Sequence, residues 1–312
     1  MIKRLWVQLT SSLIINANLK GFFTGGIYKG NGKYICVPVL NCYSCPGALG
    51  SCPVGAAQAV IASSGGLDPT AVHTWGERFK AIISGTPLYV IGLLAIVGSL
   101  IGRATCGWCC PFGFLQDLLN RIRSPKAVAP KFLRYGKYLF LIVTVIILPL
   151  FLVDQFGGGE PTFCKFICPA GTLQGGILLP LLNANLRAML GKLFAWKMFV
   201  LVIILTLAII FRRPFCRWIC PLGAFLGPLN RVSCVRLSAS DEGCVHCGAC
   251  DRVCPTELSV LKEIDSPDCI RCLECVRVCP VNVIRIHDPS GLIPKFHAKN
   301  ETSSPNQEKQ LL

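Results

Sequence analysis

Charge is what this chain has least of. Only 15% of its 312 residues are Asp, Glu, Lys or Arg, where a soluble globular domain carries about a quarter. With 52% hydrophobic residues and a mean hydropathy of +0.55, that scarcity excludes an ordinary soluble fold and indicates a membrane protein with a water-soluble portion. Acids are the scarcer sign, 16 against 31 bases. The excess positive charge flanks apolar runs and forms no continuous stripe, so it reads as anchoring to membrane lipid, and no nucleic-acid partner is expected. Histidine is rare as well. His73, His246, His287 and His297 all lie outside the apolar runs, which excludes a haem held between paired intramembrane histidines. There is no G-x-x-x-x-G-K-[ST] loop and no dinucleotide fingerprint, and Gly157-Gly158-Gly159 after an apolar run reads as a turn. The first residues, MIKRLWVQLTSSLIINANLKG, have no A-x-A cleavage site, so a removable signal peptide is not expected. They read as a first span, with an amphipathic helix lying in the interface as the alternative.

Three later stretches are long and nearly uncharged: Ala81 to Gly102, Tyr138 to Val153 and Leu193 to Phe211. Each approaches the ~20 residues that a bilayer crossing needs. Val54–Ala62 and Gly175–Leu182 are too short to cross and read as re-entrant half-helices shielded by protein. Segment 103–137 carries seven bases against Asp117, and segment 211–240 has five arginines and no acid. Segment 154–192 nets only +1. The positive-inside rule then puts 103–137 and everything after 211 in the cytoplasm. The expected fold class is a mainly α, multi-pass protein of the inner or plasma membrane. About four transmembrane helices form two internal repeats with half-helices, and an α+β ferredoxin-like domain follows. The expected units are repeat 1 (1–123), repeat 2 (124–240), the head (241–297) and a disordered tail (298–312).

The repeat rests on two segments 110 residues apart, CGWCCPFGFLQDLLNR (106–121) and CRWICPLGAFLGPLNR (216–231), which agree at eight of sixteen positions. Proline suits the first position of a helix. The free amides and positive dipole end behind it favour negative charge on the preceding cysteine, the state a metal ligand needs. Cys106, Cys110, Cys216 and Cys220 are therefore expected to hold one cytoplasmic-side iron–sulfur cluster, with Arg103, Arg213 and Arg217 offsetting its charge. A second, outer-side cluster is expected from four of Cys42, Cys45, Cys52, Cys164 and Cys168. The competing readings are small buried apolar residues, a disulfide in the outer group, and zinc. Cys36, Cys109 and Cys234 read as packing residues. The C-terminal runs CVHCGACDRVCP (244–255) and CIRCLECVRVCP (269–280) match the C-x2-C-x2-C-x3-C-P pattern in which the fourth cysteine ligates the other cluster. One [4Fe–4S] cluster is expected on Cys244, Cys247, Cys250 and Cys279, the other on Cys269, Cys272, Cys275 and Cys254. The head carries nine acids against six bases, which suits docking of a soluble partner with a basic patch.

Taken together, Cys106-x3-Cys110-Pro111, Cys216-x3-Cys220-Pro221 and the double ferredoxin run resemble the membrane-integral polyferredoxins of the periplasmic nitrate reductase, nitrous-oxide reductase and methylamine-utilisation systems (NapH/NosR/MauN-type). The resemblance covers roughly residues 80–282. It implies a helical membrane anchor, a cytoplasmic ferredoxin head, and electron exchange with a quinone pool or a redox enzyme partner, as a subunit of quinol-dehydrogenase type. The outer cysteines at 42–52 and 164–168 depart from the simplest pattern, and no flavin-bearing extracytoplasmic domain is expected. The leading expectation is an electron relay between a soluble cytoplasmic redox partner and the quinone pool or a membrane or extracytoplasmic enzyme, with Asp154, Glu160 and His73 as candidate groups at a quinone. The alternative is a redox-sensing or metalloenzyme-maturation ferredoxin. A transporter is disfavoured, because the spans lack charged residues.

Overall fold

The computed structural model describes residues 2–65, 87–127, 129–152 and 159–287. His73, Asp154, Gly157, Gly158, the start of the 81–102 stretch, the end of the head and the tail 298–312 lie outside the described residues. The chain is mainly helical, with one two-stranded ribbon among the described residues.

Two helices, Lys131–Phe151 and Lys192–Ile210, are long and apolar enough to cross a membrane by length and composition. At 1.5 Å per residue each is about 30 Å long, the thickness of a hydrocarbon core. The first is not a regular α-helix throughout: Leu141–Ile147 opens into a wide π turn just ahead of Pro149. Proline donates no amide hydrogen and its ring crowds the carbonyl four residues back, here Val145, so the helix widens there. Pro87–Ile101 adds fifteen apolar residues. The N-terminal helix Ile2–Ile15 has fourteen residues, about 21 Å, too short to cross as a helix alone. The two expected half-helices form as Pro53–Gly65 and as Thr172–Ile177 running into Leu178–Leu182. Both follow a Cys-Pro turn.

One continuous core runs through the helical part. It gathers Cys52, Cys106, Cys110, Cys168, Cys216 and Cys220 with Phe112, Phe163, Phe215, Leu222 and Leu226. The C-terminal head has a core of its own around Leu237, Leu258, Val260 and Ile284. Its ribbon pairs β1 (Arg236–Ala239) with β2 (Ile284–His287) antiparallel, Leu237 opposite Ile286. The ribbon therefore begins ahead of residue 241, within the segment assigned from the sequence to the second repeat.

Candidate metal centres

The Cys-Pro turn is built the same way at four places. Cys110, Cys168 and Cys220 are extended residues capping helices whose first residue is proline, and Cys52 precedes Pro53 likewise. At Cys168 the amide of the glycine three residues on, Gly171, donates to the sulfur at 3.4 Å, and the other three turns place Gly55, Gly113 and Gly223 at the same position. Such an amide stabilises a thiolate more than a thiol.

In the inner set, the one nearest the head, Cys106, Cys110, Cys216 and Cys220 are all buried and close enough to act on one another's charge. The two segments brace each other reciprocally. Arg103 donates to the Cys216 carbonyl at 3.1 Å and Arg213 to the Cys106 carbonyl at 2.9 Å. Both guanidinium groups are 1% exposed. Gly223 faces Arg103 and Gly113 faces Arg213; a Cβ at 223 would lie 2.6 Å from the Arg103 Nη2. Phe112 and Phe215 meet edge to face across the pair. Asp117 accepts from Arg213 Nε at 2.7 Å and also pairs with Arg4. Burial alone would raise its carboxyl, but the two arginines outweigh that and hold it at about 2, so it stays ionised at any physiological pH. Arg217 pairs with Glu257 of the head at 2.7 Å.

The outer set is organised differently. Cys42, Cys52, Cys164 and Cys168 line one cavity of about 510 Å³; Cys45 does not line it. Instead Cys45 is 2% exposed, and its amide closes a turn onto the Cys42 carbonyl. Of the five candidates, four thus share a space and the fifth packs behind them. Cys164 sits in the π turn Phe163–Ile167; such wide turns are frequent at functional sites. Lys165 and Lys197 line the same cavity, the latter donating to the Cys164 carbonyl at 3.4 Å.

Sequence reasoning missed three glutamines. Gln58 accepts from the Cys164 amide at 3.1 Å, and Gln174 accepts from the Cys42 amide at 2.7 Å. Gln116 accepts from the Phe215 amide and donates to Cys216 Sγ at 3.1 Å. Gln58 and Gln116 are fully buried. Each stands six residues after the cysteine of its own turn, so Cys-Pro-x-Gly-x-x-Gln at 52, 110 and 168 was the available signal; the fourth turn has Leu226 there. The crossed pair Gln58–Cys164 and Gln174–Cys42 makes Cys42 the counterpart of Cys164.

In the head, Cys244, Cys247, Cys250 and Cys279 line a single cavity of about 160 Å³. Cys254, Cys269, Cys272 and Cys275 act on one another's charge. The two runs turn alike: His246 and Arg271, and Gly248 and Leu273, all have positive φ. Alternating turns of this kind aim successive amides at one interior point, where they favour an anion. Among the described residues no three His, Cys, Asp or Glu side chains close on a point as they would around a single ion. A cubane takes one thiolate at each of its four iron corners, and each of these sets supplies four cysteines.

The second head set sits directly on the inner set. Asn230 donates to the carbonyls of Cys269 (2.8 Å) and Ser266 (2.9 Å) and accepts from the Arg103 amide (2.9 Å). A Cβ at Gly107, one residue after Cys106, would lie 2.4 Å from the Ile270 carbonyl. Trp108 Nε1 donates to the Arg271 carbonyl at 2.9 Å, and Cys272 packs against the core that contains Cys106 and Cys216. Asp268 pairs with Lys137, Arg103 (3.7 Å) and Arg134 (3.6 Å). Position 227 in the second segment is glycine where the first has Asp117. The Pro267–Asp268 loop occupies that gap, its Pro267 carbonyl 2.8 Å from a Cβ at 227. Asp268 thereby pairs with Arg103 as Asp117 pairs with Arg213.

A 4Fe–4S binding domain model matches the chain three times, over residues 85–130, 138–186 and 193–238, and a 4Fe–4S dicluster domain model matches residues 236–280. The chain belongs to the ferredoxin-type 4Fe–4S polyferredoxins. Each of the three matches holds one Cys-x3-Cys-Pro turn. Among the relatives of this polyferredoxin is an uncharacterized protein of Methanocaldococcus jannaschii, 29% identical over 61% of this chain and 75% of its own length. The methylamine utilization ferredoxin-type protein MauN of Methylorubrum extorquens is 29% identical over 58% of this chain and 57% of its own. The ferredoxin-type protein NapH of Escherichia coli is 26% identical over 52% and 51%. The chain thus spans little more than half of these last two. No solved structure matches it.

Proposed function

We propose that this polyferredoxin is a multi-pass membrane electron relay with four [4Fe–4S] sites in series. In order from the cytoplasm they are Cys244/Cys247/Cys250/Cys279, Cys254/Cys269/Cys272/Cys275, Cys106/Cys110/Cys216/Cys220 and Cys42/Cys52/Cys164/Cys168. Bound clusters supply one-electron exchange; the protein supplies the order, the insulation and the charge around them. The observation that carries the reading is the seating of the Cys269–Cys272 segment on Gly107 and Asn230, which puts the head in direct contact with the cytoplasmic-side set.

The membrane setting is supported by what faces outward. Only 22% and 17% of the two long apolar helices is buried inside the protein, unlike the core helix of a soluble fold. The N-terminal helix is inside out. Arg4, Gln8 and Ser11 bond inward to Asp117, the Gly107 carbonyl and the Cys109 carbonyl, while Trp6, Leu13 and Ile14 are exposed. A hydrocarbon surround favours that arrangement and water opposes it. The two-repeat architecture, with Pro87–Ile101 and the N-terminal segment as further membrane elements, is supported by the reciprocal Arg103 and Arg213 bonds.

On this reading a soluble redox partner delivers electrons to, or takes them from, the head near the exposed Cys247. The quinone pool or an outer enzyme exchanges them at the open cavity beside Cys42. Of the candidate quinone groups, Glu160 is described and is paired with Lys165 at 2.5 Å. The buried, doubly braced cysteines of the helical part favour a relay over a sensor with a labile cluster.

The test is transfer across a bilayer. Proteoliposomes with the head outward are given a reduced soluble ferredoxin outside and a membrane-impermeant acceptor inside. Acceptor reduction that Cys106→Ser/Cys216→Ser abolishes is the expected result. Reduction that persists in that variant would sink the relay.

A further inference from the structure

Six arginines converge on a cavity that none of the cysteines lines. Arg4, Arg121, Arg212, Arg213, Arg252 and Arg277 line a space of about 350 Å³ between the N-terminal helix, the helix Pro111–Leu119 and the head, against only Asp117 and Glu274. The two carboxylates are already engaged: Asp117 holds Arg4 and Arg213, and Glu274 holds Arg277 at 2.9 Å. Among the described residues no carboxylate pairs with Arg121, Arg212 or Arg252. Arg212 spends one nitrogen on the carbonyls of Arg252 and Cys254, and Arg252 spends one on the Cys247 carbonyl, which holds both side chains at the cavity. Guanidinium forks fixed in this way match a phosphate group bidentately.

Apolar groups adjoin the cavity in the chain. Leu5 lines it, and its sequence neighbours Trp6 and Val7, with Leu118 and Ile122 next to Asp117 and Arg121, are exposed. On the proposed reading these groups lie at the cytoplasmic membrane face, where acyl chains and headgroups meet. We propose that the cavity binds a phosphate-bearing anion, supplied by the headgroup of an anionic phospholipid whose chains lie along Trp6 and Leu118. The proposal rests on the membrane setting above but on none of the cluster assignments. A bound phosphate would tie the head to the helical part beside Cys254, through Arg212 and Arg252 on one side and Arg4 and Arg121 on the other.

The full chain, purified with its clusters in a neutral detergent, is titrated with dioleoylphosphatidylglycerol, with dioleoylphosphatidylcholine and with inorganic phosphate, and bound species are counted by native mass spectrometry. One phosphatidylglycerol retained per chain, in preference to phosphatidylcholine, is expected. Arg121→Gln/Arg252→Gln should weaken retention about tenfold or more, since each surface arginine contributes a several-fold attraction to anionic lipid. Iron content checks the fold of that variant, and the single exposed change Arg121→Glu provides the same test with less disturbance. Lys131→Gln/Lys262→Gln, which alters a separate cavity on the head's other flank, should leave retention unchanged. Displacement of the lipid by inorganic phosphate that itself stays bound would keep the site and move its source from lipid to free phosphate. Equal retention in wild type and in the arginine variants, or equal loss in the lysine control, would overturn the proposal. Because lipid counting does not read electron flow, failure here leaves the relay standing, and failure of the relay leaves this site standing.

Discussion

The two cysteine sets of the helical part use the same turn and come out differently. The inner set is closed. Arginines with 1% exposure brace it from both segments, and the head seals it where Cys269, Ile270 and Asp268 meet Asn230, Gly107 and Lys137. The outer set is open, facing a cavity of about 510 Å³ lined by Lys165 and Lys197; it has glutamine braces as the inner set does through Gln116 but, among the described residues, no buried arginine pair. The difference follows from the neighbours, since the Cys-Pro-x-Gly turn is common to both. A closed set suits an internal step, where the donor is already docked. An open one suits exchange with a molecule that comes and goes.

The largest way to break that comparison is to remove ligands from each set in turn. Cys106→Ser/Cys216→Ser should leave the head reducible and the outer set isolated. Cys42→Ser/Cys168→Ser should leave both the head and the inner set reducible with no exit. Low-temperature EPR under stepwise reduction separates the two outcomes. Within the outer set, Cys45→Ser should retain the iron that Cys42→Ser loses; equal loss would return Cys45 to the ligand set.

Next in size is the charge bracing. Asp268→Asn strips the shared partner from Lys137, Arg103 and Arg134 and should destabilise the chain by about 3–5 kcal/mol, the usual result of orphaning buried charge. Glu160→Gln breaks the half-exposed Lys165 pair of the outer set and should change stability by less than about 1 kcal/mol. Thermal unfolding of the two variants reads the contrast directly.

A smaller effect comes from the glycines. Gly107→Ala drives a methyl against the Ile270 carbonyl at 2.4 Å, whereas a Cβ at Gly55 meets nothing closer than 3.5 Å. The first should cost about 1–3 kcal/mol and slow electron transfer from the head, read by stopped-flow bleaching. The second should leave both unchanged. Of similar size is the brace itself: Gln174→Leu strands the Cys42 amide and should cost about 1–3 kcal/mol, read by chemical denaturation. The fourth turn, with leucine already at 226, should accept Leu226→Ile with a change under about 1.5 kcal/mol.

Much of this was legible because ligand spacing is local. The head's two runs, the paired segments at 106 and 216, and the half-helices after Cys-Pro could be read from residues a few positions apart. That Cys42 lines the outer cavity and Cys45 does not could not, because Cys42 is held by Gln174, about 130 residues away. Asp268 was equally hidden: its role as stand-in for Asp117 appears only when Gly227 and the head are seen together. The π turns were hidden too, since neither apolar periodicity nor composition separates a wide turn from an α turn. For the N-terminal segment the sequence left a span and an interfacial helix both open, because apolar content does not fix helix length, and the helix is fourteen residues. The glutamines were in plain view at a fixed spacing, but a buried amide bracing a cysteine loop leaves no mark in hydropathy.

The most direct measurement of the central claim is iron and acid-labile sulfide per polypeptide on anaerobically purified full-length chain, beside Cys106→Ser/Cys220→Ser and Cys42→Ser/Cys168→Ser. Four sites predict about sixteen irons, falling to about twelve in either variant. About eight irons in all three proteins would contradict the account, leaving the head as the sole carrier and the helical cysteines as packing.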